Sequence, residues 1–245
     1  MIKLVVLDID GVLSEGKSSW FSSEIISVLS AMNHRSQEDP SAPPATVITG
    51  RPGPYIEAFI QVIHGTAPAV FEQGTGLYNP VSYQFSRHPE MGDLGEFYLL
   101  KQVIIEKIVG PGYAVMQIGK EYTISIFNSD KEINRKLKRM IIDEAGEELC
   151  SKFDIIYSSD SLNIMPKGFH KGKGIQLLSS ATNIGLDEML GIGDSAVDIP
   201  FLEKVGFHAC PINSSDEVKH LCSYCSPEPY GAGVIDILRH FCCIP

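Results

Sequence analysis

Four short stretches of this chain carry side chains that could do chemistry together. Asp8 and Asp10 close an apolar run in Leu7-Asp8-Ile9-Asp10-Gly11-Val12, and Thr49-Gly50-Arg51 closes a second. Lys171 precedes Gly172, and Asp194 and Asp198 bracket Ser195-Ala196-Val197 after Gly193. On an extended strand, residues two apart share a face and sit about 6.6 Å apart at about 3.3 Å per residue. That span suits one carboxylate set against a phosphorus and a second set against its leaving oxygen. Gly11 lets the chain turn away beneath a ligand. Thr49, the Gly50 amide and Arg51 offer a hydroxyl, an unobstructed N–H and a guanidinium. A helix starting near Ser195 would put Asp194 and Asp198 about one turn apart, both toward the first pair.

Four converging carboxylates destabilise a fold, or raise one another's pKa, unless something offsets their charge. A hard divalent cation does so, and Mg²⁺ characteristically takes one or two carboxylates, waters and phosphate oxygens. Lys171, at the start of a predicted helix, adds a point charge suited to phosphate. Singly, each feature has an ordinary reading: a loop, a turn, a solvated lysine, a helix cap at Asp194 with Asp198 in the first turn. Their order along the chain favours one joint site.

The elements that must position these residues alternate. Residues 2–7, 45–48 and 189–192 are apolar runs suited to strands buried on both faces, and residues 207–210 are a shorter fourth. Helical patterns cover 24–32, 54–63, 172–182, 215–221 and 233–241, with a polar, Pro-rich loop at 36–44. Strand and helix in alternation predict a doubly wound, mostly parallel α/β sheet with right-handed crossovers. In such sheets ligands bind beyond the carboxyl ends of the strands, where all four stretches fall. Residues 80–163 read differently. Helical stripes at 97–108 and 133–141 accompany two hairpins, one turning at Gly119-Lys120-Glu121 and one at residues 158–160. The expected organisation is a core of residues 1–79 and 164–245 with a small α+β domain, residues 80–163, inserted.

The chain has 245 residues, 44% of them hydrophobic and 20% charged, enough to bury a sizeable core. Twenty Lys+Arg against thirty Asp+Glu give a formal charge of -10, which disfavours nucleic acid or an acidic membrane as partner. Apolar runs are strand-sized, far short of the roughly 20 residues a membrane span needs. No basic start leading into a long apolar stretch marks a signal peptide, so a cytoplasmic protein is expected. Cys222 and Cys225 have zinc-ligand spacing, and Cys242 with Cys243 could complete a site, but adjacent cysteines make awkward ligands. Ordinary thiols are the expected state.

Asp8-Ile-Asp10-Gly-Val, Thr49-Gly-Arg51, Lys171-Gly and Gly193-Asp194-Ser-Ala-Val-Asp198 resemble the four ordered motifs of haloacid dehalogenase superfamily phosphatases. The resemblance covers nearly the whole chain, and the insert between the second and third motifs is similar to that family's type C2 cap. Residues 208–219 and 230–234 are most similar to archaeal-type phosphoglycolate phosphatases. The resemblance implies a phosphomonoester hydrolase that uses Mg²⁺ and acts on a small phosphorylated metabolite, phosphoglycolate first. Sugar-phosphate, sucrose-phosphate and mannosyl-3-phosphoglycerate phosphatases are alternatives, and a non-catalytic phosphate-binding or scaffold module is the reading from another class. No particular oligomeric state is implied.

It also implies roles. Asp8 would attack phosphorus and carry an aspartyl-phosphate; Asp10 would protonate the leaving oxygen and then activate water. Asp8, the Asp10 carbonyl and Asp194 would hold the metal, with Asp198 supporting them. Thr49, Gly50 and Lys171 would hold phosphoryl oxygens, Arg51 would steady the loop or touch substrate, and Asn213 would lie at the site's edge. Two positions depart from the family pattern: Val197 stands where Asn is common, and Gln73-Gly74 where Asn-Gly is common. Arg87, His88, Lys120, Tyr122 and Arg135 are the insert's candidates for a substrate anion. A cap closing over the site would exclude water other than the attacking one.

Overall fold

A computed structural model describes residues 1–16, 18–158 and 161–244. In chain order it begins β1 (Leu4–Leu7), α1 (Ser23–Glu38), β2 (Ala45–Val47), α2 (Gly53–Val62), β3 (Ala69–Phe71), β4 (Gly76–Asn79) and β5 (Gln84–Arg87). Next come α3 (Gly95–Ile104), β6 (Val115–Met116), β7 (Ile124–Phe127), α4 (Lys131–Ala145), α5 (Glu147–Cys150), β8 (Phe153–Tyr157) and β9 (Leu162–Pro166). The chain closes with α6 (Lys171–Thr182), β10 (Met189–Ile192), α7 (Ile199–Leu202), β11 (Phe207–Cys210), α8 (Asp216–Leu221), β12 (Tyr224–Cys225) and α9 (Tyr230–His240).

The chain folds into two units, residues 1–88 with 170–245 and residues 89–169. The first is built on a parallel sheet in the order β12-β11-β10-β1-β2. β1 lies in the interior and is fully buried, which is why Leu4-Val5-Val6-Leu7 is apolar at every position and not alternating. Leu4 and Val6 join a cluster with Ile175 and Leu178 of α6 and Phe201 and Leu202 of α7. Alternation along the strand sends Val5 and Leu7 to the opposite face. Ile48 bridges to Val70, and β3, β4 and β5 continue as an antiparallel sheet. That hairpin holds residues 80–88 in the first unit, so the observed division falls at 88/89 and 169/170, later at both ends than the boundaries read from the sequence.

The second unit is a four-stranded antiparallel sheet, β6-β7-β9-β8. Its core joins Phe97, Leu100 and Ile104 of α3 and Leu137 and Ile141 of α4 to Ile124, Ile126, Leu162 and Ile164 of the sheet. These helix residues recur at three- and four-residue spacing, the stripe an amphipathic helix lays on a sheet. The first hairpin is wider than its residues imply: Val115 pairs Phe127 and Met116 pairs Ile126, so residues 117–123 all lie in the connection. β8 and β9 pair as expected from Phe153↔Pro166 to Tyr157↔Leu162; Ser159 and Asp160 of their expected turn lie outside the described residues. No described helix is long and apolar enough to cross a membrane.

Candidate active site

Asp8, Asp10, Thr49, Gly50, Arg51, Lys171, Asp194, Asp198 and Asn213 all lie in the first unit, at or just beyond the carboxyl ends of β1, β2, β10 and β11 or at the start of α6. Asp8 follows β1 directly, and its amide donates to the Ile192 carbonyl at 3.0 Å, tying the ends of β1 and β10 together. Across the gap stands Lys171, the first residue of α6, with its ammonium 2.8 Å from Asp8 Oδ1 and 2.6 Å from Asp198 Oδ1. α6 can bring Lys171 there because Gly172 follows: a Cβ at that position would lie 2.4 Å from the Pro200 carbonyl oxygen.

Asp198 folds back on its own loop. Its Oδ2 accepts from the amides of Asp194 and Ser195, each at 3.0 Å, and from Ser195 Oγ at 3.1 Å. Both oxygens of this fully buried carboxylate are therefore engaged by the protein. The expected helix from Ser195 does not form. Residues 195–198 make a turn and α7 begins only at Ile199, because Pro200 is tolerated in the first helical turn but not further inside.

Asp8, Asp194 and Asp198 each bring a carboxylate oxygen within 4.8 Å of the others. Asp194 Oδ1 is buried and has no hydrogen-bond partner, and the main chain leaves room for this carboxylate only because residue 11 is glycine. Gly11 has φ +87°, and a Cβ there would stand 2.2 Å from Asp194 Oδ2. Burial, reinforced by Asp198 and Asp8, pushes the Asp194 carboxyl up from the usual 3.8 to about 8. Burial likewise pushes Asp8 up to about 7, against the opposing pull of Lys171. Lys171 loses hydration on burial, yet the Asp198 and Asp8 carboxylates hold its pKa above the ordinary lysine range. An orphaned buried oxygen on a carboxyl that resists ionising, beside a second carboxyl that does so too, is a donor set that fits a hard divalent cation.

Asp10 does not join that trio, so the expected convergence of four carboxylates is corrected to three. Its carboxylate is gripped by Arg51, Nε donating to Oδ2 at 2.7 Å and Nη2 to Oδ1 at 2.5 Å, and the guanidinium also rests 4.8 Å from the Tyr55 ring centroid. A planar fork on a carboxylate fixes orientation as well as charge. Thr49 is buried with its Oγ1 accepting from the Arg51 amide at 3.2 Å. Gln73, which the sequence offers only as a departure from pattern, lies across Gly50: a Cβ on Gly50 would meet Gln73 Nε2 at 2.7 Å. Its own amide donates to the Thr49 carbonyl at 3.0 Å.

Asn213 clamps backbone. Its Nδ2 donates to the Gly11 carbonyl at 2.8 Å and its Oδ1 accepts from the Tyr230 amide at 2.9 Å, so both ends of the side-chain amide hold backbone. Val197 is half exposed. Of the residues proposed for the insert, Arg87 and His88 fall in the first unit. Lys120 is buried, with its Nζ donating to Ser125 Oγ at 2.7 Å. Arg135 is exposed and Tyr122 half-buried, both in the second unit.

A doubly wound sheet that gathers a lysine and three aspartates beyond its strand ends has its site where open α/β sheets bind their ligands. The haloacid dehalogenase-like hydrolase family model matches residues 115–238, about half of the sequence, and the chain belongs to that family. Among curated relatives, the phosphoglycolate phosphatase of Picrophilus torridus is 26% identical over 98% of this chain and 92% of its own length. That of Methanospirillum hungatei is 34% identical, but over 36% of this chain and 38% of the relative. A crystal structure from Thermoplasma acidophilum superposes with a TM-score of 0.76 at 21% identity over the full length of both chains. A haloacid dehalogenase-like hydrolase from Bacteroides thetaiotaomicron does so with 0.78 at 14% identity, over 98% of this chain and all of that one. These structures share the fold.

Proposed function

We propose that this hydrolase is a Mg²⁺-dependent phosphatase of small anionic metabolites in the cytoplasm, with phosphoglycolate as its leading substrate. One observation carries the reading: Asp8 is held by a buried lysine beside Asp194, whose buried Oδ1 has no hydrogen-bond partner. The curated relatives carrying the phosphoglycolate phosphatase name support the substrate choice.

Asp8 attacks phosphorus through its other carboxylate oxygen, forming an aspartyl-phosphate, while Oδ1 stays on Lys171. Asp10 is oriented by the Arg51 fork; with one oxygen released from the fork and protonated, it gives that proton to the leaving oxygen and in the second step takes one from the hydrolytic water. Thr49, the Gly50 amide and the Lys171 ammonium hold phosphoryl oxygens as charge is redistributed. Asp8, the Asp10 carbonyl and Asp194 would hold Mg²⁺, and Asp198 keeps the loop of Asp194 in place through its bonds to the Asp194 and Ser195 amides. Bound Mg²⁺ supplies charge that neutralises phosphoryl oxygens and the carboxylates around it. The inserted unit is assigned as the cap that selects the substrate.

The test is phosphate release across a metabolite panel with and without Mg²⁺. The proposal expects Mg²⁺-dependent turnover with phosphoglycolate preferred; a strong preference for hexose phosphates would overturn the substrate, and no turnover on any phosphomonoester would overturn the activity.

A further inference from the structure

A left-handed turn stands between the Thr49-Gly50-Arg51 loop and the start of α6. Glu72, Gln73 and Gly74 have φ of +47°, +61° and +98°, a region L side chains rarely adopt, and two of the three are not glycine. L-residues visit this region singly and not in runs, because each one brings Cβ too close to the following carbonyl oxygen. Such strain persists only where the surroundings over-determine it, and it gathers at functional sites. Here the surroundings are the site. The Glu72 amide donates to the Arg51 carbonyl at 3.1 Å and the Gln73 amide to the Thr49 carbonyl at 3.0 Å. On the other side, a Cβ on Gly74 would lie 2.6 Å from the His170 carbonyl oxygen and 2.9 Å from the Gly174 amide nitrogen, so the turn is seated against the helix that carries Lys171.

From this turn Gln73 extends its side chain over Gly50, and the approach tightens toward the tip. From where a Gly50 Cβ would stand, Gln73 Cγ is 3.6 Å away, Cδ 3.2 Å and Nε2 2.7 Å. The residue is half-buried, and among the described residues its carboxamide makes no hydrogen bond; the fold uses only its main-chain N–H. A side-chain amide carries two N–H donors. Donors with no protein partner, leaning over a loop whose own amide is open, suit an oxyanion.

We infer that Gln73 is a substrate-binding residue, its Nε2 donating to a phosphoryl oxygen held at the Gly50 amide, with the left-handed turn presenting it. The inference rests on the phosphatase reading, in which Gly50 holds such an oxygen. Backbone conformation separates it from a packing role. Were residue 73 needed only to turn the chain, glycine would serve better, because it takes a φ of +61° without steric cost. Glutamine adopts that conformation against its preference, and its side chain brings a donor beside Gly50. Being neutral, that donor is not drawn onto the carboxylates that engage Lys171 and Arg51.

The experiment measures binding of inorganic phosphate by calorimetry in Mg²⁺ buffer, with turnover of a generic aryl phosphate and thermal melts in parallel. It compares the full chain as wild type, Gln73→Gly and Gln73→Met. Methionine keeps the reach and bulk over Gly50 and lacks the N–H; glycine lacks both and relieves the left-handed backbone. Loss of a hydrogen bond to a charged group is expected to raise the phosphate Kd by about tenfold in both variants. The kcat/KM for the aryl phosphate falls with it, while the Tm of Gln73→Gly stays at or above that of wild type. Wild-type affinity in Gln73→Met would show that bulk matters and not the donor, and overturns the inference. Wild-type affinity in Gln73→Gly, or a weakened affinity there together with a fallen Tm, overturns it as well. Turnover by wild type with both variants unaffected removes Gln73 and leaves the phosphatase reading standing; a wild type that neither binds phosphate nor turns over removes both.

Discussion

The Lys171 ammonium and the Asp8 carboxylate stand 2.8 Å apart with almost no solvent around either, and the same ammonium reaches Asp198 at 2.6 Å. Lys171 is thus the neutralising centre of two buried carboxylates that come from opposite ends of the sequence. Removing one member of a buried ionic network strands the others, at a cost of about 3–5 kcal/mol. Lys171→Met is therefore expected to lose stability of that order in denaturant unfolding. Asp198→Asn loses less, since an amide can still accept from Lys171 or from the 194–195 amides, though not from all of them. Equal stabilities for wild type and Lys171→Met would contradict this.

The acid cluster sets a pH dependence with a defined sign. Asp194 is pushed to about 8 and Asp8 to about 7, burial being the largest cause in each. The folded chain therefore keeps protons that the unfolded chain releases near the usual carboxyl range. The resulting stability is full in acid and is lost as pH rises through 7 and then 8. Thermal melts in chelator from about pH 5 to about pH 9 are expected to show a falling Tm, flattened in Asp194→Asn and reversed at the alkaline end by added Mg²⁺. A Tm that climbs over this range in chelator would refute the assignment.

Gly11 faces the Asp194 carboxylate, and no Cβ fits between them. Gly11→Ala must move one or the other. Misplacing a reacting group by about 1 Å costs about 100-fold in rate, so activity is expected to fall on that scale while circular dichroism stays native. Wild-type turnover in Gly11→Ala would show that the contact has no bearing on the reaction.

Asn213 anchors the same loop from the other side. Asn213→Ala leaves the Gly11 carbonyl and the Tyr230 amide without their partner, an expected loss of about 1–3 kcal/mol. Because both ends of the Asn213 side-chain amide hold backbone, kcat is expected to fall with KM nearly unchanged. A KM effect without loss of kcat would restore it as a substrate ligand.

What the sequence disclosed and what it concealed follow from the range of the interactions. β1 and β10 were legible because strands buried on both faces must be apolar throughout, and α4 and α6 because their stripes are regular. The β4–β5 hairpin was not: Gln84 to Arg87 is exposed at every position, so no alternation marks it, and the insert boundary was drawn too early. Asp194, Asp198 and Lys171 could be placed together from their positions after strands. The grip of Arg51 on Asp10 could not, since it joins loops 41 residues apart through side-chain rotamers. Lys120 read as a candidate for a substrate anion because burial of its ammonium beside Ser125 depends on the fold of the second unit. Pro200 was the available signal that the helix could not start at Ser195.

The central claim, that Asp8 takes the phosphoryl group, is tested most directly by Mg²⁺-dependent phosphate release from phosphoglycolate by wild type and Asp8→Asn. Asparagine keeps the size of the side chain and removes the nucleophilic oxygen charge. Release is expected from wild type and is expected to vanish in Asp8→Asn even though the variant remains folded. Turnover by Asp8→Asn at the wild-type rate would contradict the account.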